Sequence, residues 1–295
     1  MGRLRKILMA WKTEFDVAQK ESRFVNALRH VPDLLHPEIE GDEVNFSHSG
    51  HTGDVIYAMP AMYALAKGRK INLYLRLNQP ATEFTKKMRH PNGNVMLTEK
   101  SVKLFAPLLS KQPGINTFAA LGNEKVHYDL SMFKAFPFDY RMSSITRYFL
   151  FTFGVSFPLD QPWLQVTPDA SFNDAVVLAR SSRYRTPGID YSILQKYPRV
   201  VFVGLPDEFE DMRPHVPHME YKSVNDFHEL AAVIAGSRLF IGNQSFPFAL
   251  AEALKANRLL EVYYQCPNVI AEGPGAHEFC YQPQFEKMLG ELLDK

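Results

Sequence analysis

The sequence predicts two α/β domains of Rossmann type, each a parallel sheet covered by helices on both faces. Three observations predict it. Strand-like and helix-like segments alternate from residue 43 to residue 154. The stretch "FPLDQPWLQVTPDASFND" then interrupts them with three prolines and no helical period. From residue 175 the alternation restarts. Strands that alternate with helices pair in parallel and bury both faces of their sheet. The 295-residue length suits about two such domains.

The elements follow in order. Residues 1–35 read as an amphipathic helix, with Leu4, Leu8, Trp11 and Phe15 on one face. Arg3, Arg5, Lys6 and Lys12 precede its first acid, Glu14. Such a helix packs on the protein body or rests on an anionic membrane surface. "EVNFSHSG" is a short strand ending in glycine, and residues 54–67 follow as a helix with Ile56, Met59, Met62 and Leu65 on one face. Strand 71–77, helix 100–111, strand 127–133 and the aromatic helix 141–154 complete the first unit. The domain joint is expected near 160–172. Beyond it, strands are expected at 175–180, 199–206, 238–244 and 258–264, with helices at 224–237 and 247–256. "EFCYQPQFEKMLGELLDK" reads as a closing helix. The expected layout is a helix at 1–35, Rossmann-like domains at 36–165 and 166–275, and a final helical segment at 276–295.

Composition narrows the function classes. Lys plus Arg is 33 against 32 for Asp plus Glu, so any polyanion site must be a local patch. Two cysteines, Cys266 and Cys280, make no disulfide framework and fit a reducing cytoplasm. No apolar run reaches the ~18 residues of a membrane span, and the start lacks the pattern of a signal peptide. Cys266, His277 and Cys280 lack a zinc spacing, so no metal site is expected.

In this architecture ligands bind beyond the carboxyl ends of the strands. Four stretches fall there. In "HSGHTGDVIYAMPAMYALAKG", Gly50 and Gly53 permit a tight turn around His51 and Thr52. Asp54 sits in the first helical turn, favoured there by the helix dipole and also well placed as a base. The loop is neither a P-loop nor a dinucleotide fingerprint. In "LARSSRYRT", Arg180, Arg183 and Arg185 gather with Ser181 and Ser182. Arginine's planar fork suits phosphate oxygens, though the same residues also suit a solvated loop. In "FIGNQSFPFALAEALKA", Asn243, Gln244, Ser245 and Phe246 lead from a strand into a helix. Ser245 can cap that helix, or its free amides can hold an anion. At Gly204 another strand ends, and Glu208 or Glu210 beyond it could accept from ribose hydroxyls or be ordinary helix-start acids.

Together these stretches resemble the glycosyltransferase family 9 pattern, the heptosyltransferase group. "SGHTGDVIYAMPAMYALA" is similar to its N-terminal motif, "VVFVGLPDEFED" to its Gly-Gly-Pro-Glu strand end, and "ELAAVIAGSRLFIGNQSFPFALAEALKA" to its C-terminal donor motif. The likeness covers about residues 43–275. It implies a GT-B fold, with an acceptor side carrying Gly50, His51, Thr52 and Gly53. It implies inverting transfer from a nucleoside-diphosphate sugar, with Asp54 as base and no tightly bound cofactor or essential metal. Arg180, Ser181, Arg183, Arg185, Gly204, Glu208, Glu210, Asn243, Gln244, Ser245 and Phe246 would form the donor side. The acceptor would be a glycan or lipid-linked sugar, with the N-terminal helix giving peripheral contact at the inner membrane face. Two departures stand out: Gln244 replaces the family's acid, and Phe246 its small glycine. The resemblance therefore implies the reaction class and leaves the sugar open.

Competing readings remain on the sequence. Transfer to a nucleic-acid acceptor, such as a phage DNA base, requires a basic patch beside the cleft. A non-catalytic nucleotide-sugar binder would accommodate Gln244 and Phe246. A dinucleotide-dependent oxidoreductase would need the glycine fingerprint that is missing.

Overall fold

The computed structural model describes residues 3–29, 37–81, 92–136 and 138–294. Its first half is a four-stranded sheet of β1 (Glu43–His48), β2 (Lys70–Leu75), β3 (Ile115–Ala120) and β4 (Tyr128–Asp129), in the order β3-β2-β1-β4. Its second is a six-stranded sheet in the order β10-β9-β8-β5-β6-β7. These strands are β5 (Val176–Ala179), β6 (Val200–Phe202), β7 (Glu220–Tyr221), β8 (Leu239–Asn243), β9 (Arg258–Glu261) and β10 (Ala276–Phe279). Every neighbouring strand pair in both sheets is parallel.

Among the described residues the helices are α1 (Arg3–Leu28), α2 (Thr52–Ala66), α3 (Glu99–Leu109), α4 (Ile145–Phe153), α5 (Pro206–Met212), α6 (Phe227–Gly236), α7 (Phe246–Leu254) and α8 (Gln282–Leu293). A parallel sheet is buried on both faces, and its strands read as apolar runs. Val176–Ala179 and Leu239–Asn243 are buried along their whole length.

The chain order creates a switch point in each sheet. In the first, the strand order reverses between β1 and β4; in the second, between β5 and β8. The loops that leave β1, β5 and β8 therefore open into crevices. These loops hold Gly50–Asp54, Arg180–Arg185 and Gln244–Phe246.

The two halves share a core. One apolar cluster joins Ile56, Met59 and Phe105 of the first half to Val177, Phe240 and Phe248 of the second. A separate cluster, with Tyr191, Phe202, Met212 and Phe285, covers the other face of the six-stranded sheet. Helix α2 contains Pro60, which has no N–H to give the carbonyl of Ile56 four residues back. The indole of Trp163 donates to that carbonyl at 3.1 Å. The connecting segment thus repairs the helix that begins at the glycine loop. The amides of Trp163 and Leu164 also donate to Ala253 O on α7, so the same segment ties both halves.

Several expectations are corrected. The expected strand at 127–133 is only Tyr128–Asp129, because the Asp129 carboxylate accepts from Ser131 N and starts a 3-10 helix, Leu130–Ala135. The expected closing helix from 278 begins at Gln282, since Ala276–Phe279 pairs with β9 as β10. β3 and β7 are strands beyond those the sequence predicts. α1 does not pack along the body: Ile7, Trp11 and Phe15 are 44%, 68% and 63% exposed. Residues 30–35 of that expected helix lie outside the described residues. No helix of the described residues is long and apolar enough to cross a membrane.

Candidate functional site

The first crevice is built on β1. Its last residue, His48, is completely buried, and its Nδ1 accepts from Gly50 N at 2.8 Å. With Nδ1 accepting, the neutral ring carries its proton on Nε2, which has no hydrogen-bond partner among the described residues. Burial pushes the His48 pKa down to about 4, against the attraction of Asp54. His48 is therefore a neutral clasp that curls the chain back at Gly50.

Gly50 must be small. A methyl built on it would lie 2.6 Å from both Asp54 Oδ2 and His48 Cε1. That space lets Asp54 Oδ2 accept from His51 N at 3.0 Å, which fixes the carboxylate at the helix start. Asp54 is 8% exposed, while His51, Thr52 and Gly53 are half-buried. The 3-10 helix Leu130–Ala135 closes the other side, where Ser131 Oγ accepts from both the amide and the hydroxyl of Ser49 at 2.7 Å. At the carboxyl end of the sheet, Arg76 lies 3.7 Å from Asp129 and donates to Ser47 Oγ at 3.4 Å. Sequence reasoning missed His48 as the clasp, and Arg76, Asp129 and Ser131. Their position at strand ends was the available signal.

The second crevice is built on β5 and β8. Asn243, fully buried, accepts from Ser181 N at 3.0 Å and donates to the carbonyls of Ser181 and Arg183. Glu208 accepts from Ser182 N at 3.3 Å and from Leu205 N at 3.2 Å. Burial pushes the Glu208 carboxyl up, and those two amides pull it back. Gly204 stands at φ +152°, where a methyl would meet Phe202 Cε1 at 2.9 Å and Glu208 Oε2 at 3.2 Å. The three expected donor-side stretches thus form one hydrogen-bonded cluster.

Within it the side chains divide. Arg180 turns inward: Nε and one terminal nitrogen donate to Glu261 at 2.7 and 2.8 Å. Tyr191 and the Thr186 amide also donate to Glu261. Arg180 therefore anchors the end of β5 and does not face a ligand. Arg185 pairs with Asp211 and donates to the carbonyls of Ser181 and Arg180. Arg183 is half-buried, with its guanidinium 5.9 Å from the Tyr184 ring. Glu210 is exposed and pairs with Arg213 at 2.7 Å, outside the hydrogen-bonded cluster.

The β8 turn also differs from expectation. Gln244 spends its amide on structure: Nε2 donates to Cys266 O and Asn268 Oδ1, and Oε1 accepts from Tyr263 N, all at 2.7 Å. Ser245 donates its amide to Asn243 O at 2.7 Å and its hydroxyl to the same carbonyl at 3.2 Å. The Ser245 hydroxyl does not cap α7. The first amides of α7, at Phe246 and Phe248, lack intrahelical acceptors, as at any helix start. The Phe246 ring packs 4.3 Å from Phe227 and 5.6 Å from Phe105, between the halves.

The crevices meet because α2 lies against α7. A methyl on Gly53 would stand 4.0 Å from Ala249 Cβ. The helix carrying Asp54 and the helix following Ser245 therefore touch near their starts. Among the described residues, no group of three or more His, Cys, Asp or Glu side chains could hold a metal ion.

No protein-family model matches the chain, and no curated protein matches it. Solved structures do. A glycosyl transferase family 9 protein from Veillonella parvula is 14% identical at TM-score 0.52, covering 90% of this chain and 91% of its own. The Escherichia coli heptosyltransferase WaaC with ADP is 12% identical at TM-score 0.56, covering 84% and 99%. The E. coli ADP-heptose lipopolysaccharide heptosyltransferase II is 14% identical at TM-score 0.51, covering 84% and 97%. The chain has the GT-B fold of these heptosyltransferases, two parallel sheets with their helices.

Proposed function

We propose that this GT-B chain is a glycosyltransferase that moves a sugar from a nucleoside diphosphate to an acceptor hydroxyl. The observation that carries the reading is the meeting of two switch-point crevices through α2 and α7. One crevice holds an oriented carboxylate. The other holds an arginine loop clamped beside a helix start, which suits a diphosphate. Asp54 takes the acceptor proton while the acceptor oxygen attacks the anomeric carbon from the face opposite the leaving group. The bond from that carbon to the diphosphate breaks, and the nucleoside diphosphate departs with the electron pair. Arg183 and the amides of Phe246 and Phe248 take up the charge that develops on it. Glu208 is the acceptor for a ribose hydroxyl, and Arg76 and Asp129 face the incoming acceptor.

The sugar stays open, because the Gln244 amide is already occupied and the Phe246 ring packs against Phe227 and Phe105. Those same facts favour a second reading, a binder that retains the nucleotide and has lost transfer. The first test is thermal stabilisation by ADP, UDP, GDP, CDP and dTDP, with Arg183→Ala beside wild type. ADP leads the panel because WaaC holds it. Ligand at about 100 times its dissociation constant stabilises the fold by ~2.7 kcal/mol. Selective stabilisation by one diphosphate, weakened in the variant, supports the donor site. No stabilisation by any of them overturns both readings.

A further inference from the structure

Helix α1 is the feature that the proposed function leaves unused. Its 26 residues span about 39 Å. Among the described residues, its ring contact with the body lies near its far end, Phe24 on Phe138 at 6.1 Å. Toward its start, Ile7, Trp11 and Phe15 recur every four residues on one face and are 44%, 68% and 63% exposed. Leu4 and Leu8 hold matching positions in the sequence. Large apolar side chains in such a row expose a surface that water disfavours.

The charges say what covers it. Arg3, Arg5, Lys6 and Lys12 precede the first acid, Glu14. A second copy laid against this half of the helix would bring cation against cation. A nucleic acid would match the charge but offer nothing to the row of Ile7, Trp11 and Phe15. An anionic lipid surface satisfies both, with phosphates taking the cations and the acyl boundary taking the rings.

We propose that the first half of α1 docks the protein on anionic membranes, lying in the interface with Trp11 and Phe15 immersed. The proposal is independent of transfer chemistry. On the transferase reading above, it would bring the cleft to a lipid-linked acceptor.

The test is sedimentation of the full chain with vesicles of phosphatidylcholine alone, or with about one-third phosphatidylglycerol. Binding is expected only with phosphatidylglycerol present, and weaker as salt rises. Each cation near such a surface raises partitioning about fivefold, so Lys6→Glu with Lys12→Glu should lower it at least about 25-fold. Trp11→Glu with Phe15→Glu should abolish it without moving the melting midpoint, because both side chains are exposed. Lipids brominated in the acyl chains should quench Trp11, since Trp163 is 4% exposed. Three results would overturn the proposal: no binding to anionic vesicles, binding untouched by the Trp11 and Phe15 changes, or a dimer that those changes convert to monomer. None of these readouts uses a nucleotide, so failure here is separable from failure of the transferase reading.

Discussion

Replacing His48 by Asn should make the protein's stability less sensitive to acid. In the fold, burial holds the His48 pKa near 4, whereas a free imidazole titrates at 6.5. The difference is about 2.5 units, and at ~1.36 kcal/mol per unit it amounts to about 3 kcal/mol. The sign follows from proton counts. Between those two values the unfolded chain carries a proton on His48 and the folded chain does not. Stability is therefore lost as pH falls from about 6.5 to about 4, and the loss levels off below. Asn can place its carboxamide oxygen where Nδ1 accepts from Gly50 N, and it cannot titrate. The smaller side chain costs about 1–3 kcal/mol at neutral pH, independent of pH. Urea unfolding of both proteins from about pH 7 to about pH 4 reads the difference. His127 and His277, whose pKa values burial also lowers, titrate in both proteins and cancel. On acidification the variant should gain about 3 kcal/mol relative to wild type, enough to close or reverse the gap between them. Parallel profiles would show that His48 is not held neutral in the fold and would refute the clasp.

Other outcomes follow from the same contacts. Trp163→Phe strands the Ile56 carbonyl and should cost about 1–3 kcal/mol. In a Pro60→Ala background it should cost less, because the restored N–H reaches that carbonyl; equal costs in the two backgrounds would remove the link. Gly50→Ala forces a methyl against Asp54 Oδ2 and His48 Cε1, and should destabilise by about 1–3 kcal/mol. It should lower turnover more than donor affinity, and the opposite split would place Gly50 on the donor side. Arg180→Ala leaves Glu261 buried without its cation and should cost about 3–5 kcal/mol. Arg183→Ala should weaken nucleotide binding, and unchanged binding would remove Arg183 from the donor side.

The sequence reveals local geometry where one segment carries its own signal. The glycines at 50 and 53, the acid at 54 and the apolar period after it suffice to place β1, the turn and α2. The strand ends at Ala179 and Asn243 are equally legible, because buried parallel strands are uninterrupted apolar runs. What escapes is whatever a distant partner decides. Arg180 looks like a phosphate ligand until Glu261, 81 residues on, is seen to hold it. Gln244 looks like a sugar contact until the 263–268 loop consumes its amide. β10 hides in a helix-like run, since only its pairing with β9 makes Ala276–Phe279 a strand. β3 has neither alternation nor a long apolar run, and its edge position leaves most of it half-buried. For α1 the amphipathic period was plain, but a period cannot tell which surface covers the face.

The proposed role of Asp54 as the base of a sugar transfer is checked by release of nucleoside diphosphate from nucleotide sugars, in the presence of a glycan extract as acceptor, by wild type and Asp54→Asn side by side. Donor affinity is measured on both proteins. Wild type should release the diphosphate from one donor. Asp54→Asn should bind that donor equally well and turn it over at least about 100-fold more slowly. Equal turnover by the two proteins would rule out Asp54 as the base, and donor binding without turnover in either would leave the chain a nucleotide-sugar binder.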